Sequence, residues 1–187
     1  MRRLNALIWN ALWIAQILPS ISLADTAPKA GFSLSHEVHQ LKLQRCGVAT
    51  LKAYGIFTVG QSALYRQTCH ATWSASDIEP IHMVFQYNRA IPAKAFRESA
   101  MEIMQRNIKL NSEEIGTLNQ FHQAYQPVEA GDTYSITYFP ETGLQLQLNG
   151  NLLATLKDQE LAREYFNIWL GEDPFDDRLK RQLMHSE

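Results

Sequence analysis

Apolar and polar positions alternate most clearly from Gly143 to Met184. Leu144, Leu146 and Leu148 are interleaved with Gln145, Gln147 and Asn149, the period-two pattern of a strand with one dry face and one wet face. Asn149-Gly150-Asn151 accepts positive φ and reverses the chain into Leu152-Leu153-Ala154-Thr155-Leu156. Asp158 then caps a helix on which Leu161, Tyr165, Ile168 and Trp169 recur at helical spacing. Gly171 stops that helix, and Pro174 stands where another would begin. Upstream, Leu41 to Arg45 alternates as a strand and leads through Cys46-Gly47-Val48 into Leu51. Ile56 to Val59 and Ala63 to Tyr65 read as one long strand, with Gly60 marking a bulge or a close approach of backbone. Ile81 to Tyr87 is a third strand. Pro92 starts a helix carrying Phe96, Ala100, Ile103 and Met104 on one face. Ser112-Glu113-Glu114 opens the next, with Ile115, Leu118, Phe121, His122 and Tyr125. Gly131-Asp132 turns into Tyr134 to Tyr138, and Pro140 to Gly143 reverses that strand into Leu144. The order predicts an α+β fold, a large antiparallel sheet with a layer of helices on one face.

The first 24 residues stand apart from this pattern. Arg2-Arg3, the apolar run Leu4–Leu23 and the Ser22-Leu23-Ala24 ending have the anatomy of a secretory signal peptide. The expectation is an exported, periplasmic protein without a membrane span once residues 1–24 are removed. Residues 25–33 read as a loose lead-in, and 34–187 as one domain. Taking Arg2 and Arg3 from the 17 basic residues leaves 15 against 19 acidic, a net charge of −4. No basic stripe is present, which argues against a nucleic-acid partner. An oxidising compartment raises the question of a bridge between Cys46 and Cys69. In a simple hairpin turning near Tyr54-Gly55, Cys46 faces about position 62 and Cys69 about position 39. That separation exceeds the ~7 Å Cα limit for a disulfide and argues against one, register error apart.

The order of strand, turn, strand, helix, Ile168-Trp169-Leu170-Gly171, loop and terminal helix resembles bacterial chalcone isomerase-like proteins. Cys46-Gly47-Val48, Ala63-Leu64-Tyr65, Gly131-Asp132 and Asn149-Gly150 extend the resemblance from about Leu41 to Met184. It implies an open-faced β-sandwich and, in the plant enzymes, ring closure of chalcones without a cofactor. A guanidinium and hydroxyl-fixed water there stabilise a developing enolate. The positions matching that machinery are Ala49 for arginine, Gly60 for threonine, Phe96 for tyrosine, Ser99 for lysine and Ile103 for asparagine. A register shift around Gly60 would bring Ser62 or Thr58 to the cleft instead. One donor of this kind is worth ~3 kcal/mol of barrier, so the resemblance implies the fold without the isomerase catalytic set. Fatty-acid-binding relatives use the same arginine and tyrosine, so carboxylate capture at Ala49 is also disfavoured.

Phe96, Ile103, Ile168 and Trp169 fall at cleft positions of the family and are the expected ligand-binding residues, with no catalytic residue assigned. The cleft is then either an apolar pocket for a small lipid-like or aromatic ligand or is filled by its own side chains. The leading reading is an exported, non-enzymatic binder; the alternatives are an intramolecular lyase acting on an enone and a scaffold for an envelope protein partner. Other chemistry finds little support. His36-Glu37-Val38-His39 offers two metal ligands, but on a strand they point to opposite faces, and neither a metal nor a cofactor is implied. Ser62, Ser74 and Ser76 lack a nucleophile elbow. The acidic run Glu172 to Asp177 suits a helix start. The polar loop Thr72–Glu79, flanked by Trp73 and Tyr87, is a contact-surface candidate without stronger support.

Overall fold

A computed structural model describes residues 31–184, except 54 and 71. The expected signal peptide and the lead-in up to residue 30 lie outside the described residues. Among the described residues seven strands are formed: β1 (Ser35–Val38), β2 (Leu41–Ala53), β3 (Phe57–Arg66), β4 (Ile81–Tyr87), β5 (Thr133–Phe139), β6 (Gly143–Leu148) and β7 (Asn151–Leu156). Helices α1 (Ala93–Asn107) and α2 (Ser112–His122) connect β4 to β5; α3 (Gln159–Glu164), α4 (Asn167–Leu170) and α5 (Asp177–Met184) follow β7. The strands pair antiparallel in chain order. Among the described residues no helix is long and apolar enough to cross a membrane.

Alternation along each strand divides the sheet into two faces. In-register pairs align Ala49, Ser62, Phe85, Tyr134 and Leu148 across five strands. The next row is Gly47, Leu64, Met83, Ile136, Leu146 and Ala154. These rows join one core with Ala100, Ile103 and Met104 of α1, Leu118 and Phe121 of α2, and Leu179 and Leu183 of α5. Area burial of this kind is the main stabilising term of the fold. The opposite face carries Thr50, Gln61, Gln86 and Thr133 in one row and Tyr65, His82, Thr137, Gln145 and Thr155 in another. A small apolar cluster of Leu43, Ala63 and Tyr65 lies there beneath Phe32 and Val38. β1 pairs only with β2, yet His36 stacks on His82 of β4 at 4.4 Å and His39 meets Phe139 of β5 at 4.6 Å. The sheet therefore curls about this face, as twisted strands do.

Two bulges set the geometry of β2 and β3. Arg45 pairs with Tyr65 and Gly47 with Leu64, so Cys46 is an extra residue. Leu51 pairs with Gly60 and Lys52 with Thr58, which makes Val59 the second extra residue. Gly60 thus sits at a bulge, as the sequence predicts, and also at a close approach. A Cβ there would stand 2.0 Å from the Gln86 carbonyl oxygen. Gly47 has a parallel role under α5, where a Cβ would lie 2.2 Å from the Gln182 carbonyl oxygen.

The hairpin expectation for the cysteines is corrected: Cys46 and Cys69 are disulfide-bonded, with Cα atoms 5.3 Å apart. The bulge turns Cys46 into the helix-side core. β3 ends at Arg66, and the chain bends back instead of continuing alongside β2, which brings Cys69 under the bulge. A second departure concerns the helix after Asp158. It breaks at Tyr165-Phe166, where Phe166 N–H donates to Arg163 and Trp169 N–H to Phe166, both three residues back. This tightening lets Tyr165, Phe166, Ile168, Trp169 and Leu170 all be buried, which one regular helix face would not do.

Replacing Cys69 by Ser should lower stability to urea unfolding by about 3 kcal/mol, the chain-entropy value for a loop of this size; an unchanged midpoint would refute a structural role for the bond. Gly60→Ala should cost more than about 2 kcal/mol by parting β3 from β4, and wild-type stability in that variant would show that the approach can relax.

Candidate functional site

The helix–sheet interface holds the residues expected to line a cleft. Ala49 is buried on the helix-facing side of β2. Its row neighbour Ser62 is wholly buried, with a hydroxyl that meets no partner among the described residues. Ser62, rather than Thr58 on the exposed hairpin, therefore occupies the hydroxyl position beside Ala49. Phe85, next in the row, packs on Trp169 at 5.1 Å. Phe96 stacks on Tyr125 at 5.6 Å and turns its edge towards Tyr87 and Tyr134. Ile103 and Ile168 are buried in the same cluster, and Ser99 is half-buried on α1. The four expected ligand-binding residues thus come together, and in this structure they pack against the protein's own rings.

Sequence periodicity did not reveal the polar element in their midst. The Tyr165 hydroxyl lies 3.0 Å from the Tyr125 hydroxyl and 3.0 Å from His122 Nε2. Tyr125 stacks on Phe96 and Tyr165 lies 6.1 Å from Trp169, so the chain spans the space between two predicted lining residues. Burial holds His122 down to a pKa of about 4, leaving a neutral imidazole at pH 7. Burial raises both tyrosines, which stay protonated. Helical spacing had marked all three as core positions; their only separate signal was three hydrogen-bonding side chains within apolar stripes.

Among the described residues, the partners of Arg45, Arg97 and Arg66 lie away from Ala49. Arg45 lies on the other face and donates to the Phe32 carbonyl. Arg97 donates to the Tyr125 carbonyl at 3.3 Å. Arg66 is buried on the helix side, but it pairs with Asp77 at 3.2 Å and with Glu79, and lies 5.8 Å from the Trp73 ring centroid. Two carboxylates against one guanidinium leave a surplus of negative charge, which opposes an anionic ligand there. The Thr72–Glu79 loop is tied to the helices, since Trp73 Nε1 donates to Asn167 and Arg163 Nε to the Ala75 carbonyl.

Open grooves flank α2 on both sides. One of 410 Å³ between α1 and α2 is lined by Arg97, Met101, Asn119 and His122, with other polar residues. The other, 390 Å³ between α2 and β7, reaches Phe121, Ala124 and Leu156. Elsewhere, His36 and His39 diverge, the first against His82 and the second against Phe139. Asp176 caps α5 by accepting from the Arg178 and Leu179 amides, which accounts for part of the acidic run.

The sequence matches the family described as chalcone isomerase-like over residues 26–185. The chain belongs to the chalcone isomerase-like family. None of the curated proteins matches this chain. Among solved structures it is similar to an Arabidopsis thaliana fatty-acid binding protein, with a TM-score of 0.62 and 17% sequence identity. The alignment covers 84% of this chain and 93% of that one. At that identity the likeness is one of fold. Within the chalcone isomerase-like fold, this chain presents Ala49 and Ser62 on the central row and neutral hydrogen-bonding groups behind it.

His122 at about 4 and His82 at about 3 both lie below the ordinary histidine value of 6.5, chiefly through burial. Both must charge on unfolding in acid, so their stabilising effect is complete above about pH 6.5 and is lost as pH falls towards 3. Urea midpoints should therefore fall steadily from pH 7 to pH 4, with a shallower slope in His82→Gln; a pH-independent midpoint over that range would contradict the buried, neutral assignment.

Proposed function

We propose that this protein is an exported, non-enzymatic member of its family that binds a small apolar or lipid-like molecule between the helices and the sheet. The observation that carries this reading is the seating of α2. Open grooves lie on either side of it, and both reach residues of the buried interface, His122 on one side and Phe121 and Leu156 on the other. Entry by this route requires α2 to shift outward, and α2 takes no part in the strand pairing. The lining is aromatic and aliphatic with few polar groups, the composition of pockets for apolar ligands. The fold shared with a fatty-acid binding protein is consistent with this use.

Catalysis of ring closure is not proposed, because Ala49 supplies no charge to meet an enolate and the nearby arginines are engaged elsewhere. Export is supported by the Cys46–Cys69 bond, which persists in oxidising compartments. A second reading, a scaffold for an envelope partner, is favoured by the exposed side chains Ile56 and Phe57 at the tip of the β2–β3 hairpin.

Titration with the neutral apolar fluorophore N-phenyl-1-naphthylamine should show saturable enhancement near one equivalent, with micromolar affinity, about −8 kcal/mol. A chalcone incubated with the protein should close no faster than in buffer. Absence of saturable binding would favour the scaffold, and turnover well above buffer would restore the lyase.

A further inference from the structure

The ligand-binding reading leaves open what chemistry the bound molecule carries. Hydrogen-bonding groups buried in the cleft limit the answer. His122, Tyr165 and Tyr125 form a continuous chain in which every group is uncharged at neutral pH. Each hydroxyl has one proton to donate and can also accept. If His122 Nε2 accepts, Tyr165 donates to it and Tyr125 donates to Tyr165, so the Tyr125 oxygen is left as an acceptor. If His122 Nε2 carries the proton, both donations reverse, and Tyr125 has its own proton free to donate. The terminal hydroxyl can thus meet either an acceptor or a donor by reversing the chain, at no cost in charge.

The ends of the chain are in suitable places. His122 lines the groove between α1 and α2. Tyr125 sits beneath Phe96, the half-buried ring expected to line the cleft. A carboxylate entering here would lose its water and meet a lining in which Glu98 and Glu102 outnumber the one guanidinium, Arg97, which is unfavourable. Arg97 donates to the backbone carbonyl of Tyr125 and not to its hydroxyl.

We propose that the ligand has an apolar body and an uncharged hydrogen-bonding head, a hydroxyl or a carbonyl, and that the head docks at the Tyr125 end of the His122–Tyr165–Tyr125 chain. This rests on the ligand-binding reading above. It differs from carboxylate capture both in the ligand selected and in the residues that select it.

The test displaces bound N-phenyl-1-naphthylamine with three probes of equal chain length, 1-decanol, 2-decanone and decanoate, at pH 7.5. The alcohol and the ketone should compete at least about tenfold more strongly than the carboxylate, the factor expected for about 1.4 kcal/mol. Tyr125→Phe is the informative variant, because Tyr165 can still donate to His122 and the ring still stacks on Phe96. It should weaken 1-decanol about tenfold relative to the fluorophore, whose own Kd is measured on the variant, the effect of one lost hydrogen bond. Decanoate competing as well as 1-decanol, or Tyr125→Phe leaving the preference intact, would overturn the head-group assignment while fluorophore binding still upheld the apolar site. Failure of the fluorophore to bind at all would overturn both.

Discussion

A continuous layer of rings holds the helices on the sheet. Phe85 packs on Trp169, Trp169 on Tyr165, and Tyr125 on Phe96, which turns its edge to Tyr87 and Tyr134. The Tyr125–Tyr165 hydroxyl contact closes the gap between the two halves. Such rings bury large areas and add specific edge and stacking terms. Three elements that are remote in sequence, α1, the end of α2 and the α3–α4 break, are therefore positioned by one interaction surface. The same layer fills the space between helices and sheet where a cleft was expected. Whatever binds there must displace or interleave with these rings.

The layer also explains how the fold is stable with an alanine at position 49. A buried arginine without a partner would cost several kcal/mol in desolvation. Ala49 removes that demand, and Ser62 beside it carries only a hydroxyl. Among the described residues the guanidinium buried on this side, Arg66, is held by Asp77 and Glu79 through Nη2, while its Nε and Nη1 meet no partner. What remains in the middle of the interface is polar but uncharged. Recognition by shape and neutral hydrogen bonds suits such a surface.

Much of this was legible in the sequence. Strand alternation from Leu144 to Leu148 and the turn at Asn149-Gly150 follow from local sterics, whereas Gly60, though marked by its type, answers to the Gln86 carbonyl on β4. Phe96 and Trp169, expected at a cleft from the family resemblance, both join the same aromatic layer. The disulfide was not, because the bulge at Cys46 and the reversal after Arg66 depend on packing that hairpin arithmetic does not contain. β1 was missed for a related reason. His36-Glu37-Val38 has no alternating apolar pattern, and its support comes from stacking on a strand more than forty residues away. The His122–Tyr165–Tyr125 chain joins residues 40 and 43 positions apart. Periodicity assigns each of them to a buried face but says nothing about which hydroxyl meets which.

The central claim is that the interface beneath α2 is a site for an uncharged apolar ligand. Hydrogen–deuterium exchange of the intact protein with and without saturating 1-decanol tests it most directly. The account predicts slower exchange in α2 and in the Tyr165–Trp169 segment, with the strands unchanged. Unaltered exchange in α2, or protection confined to the β2–β3 hairpin, would contradict it.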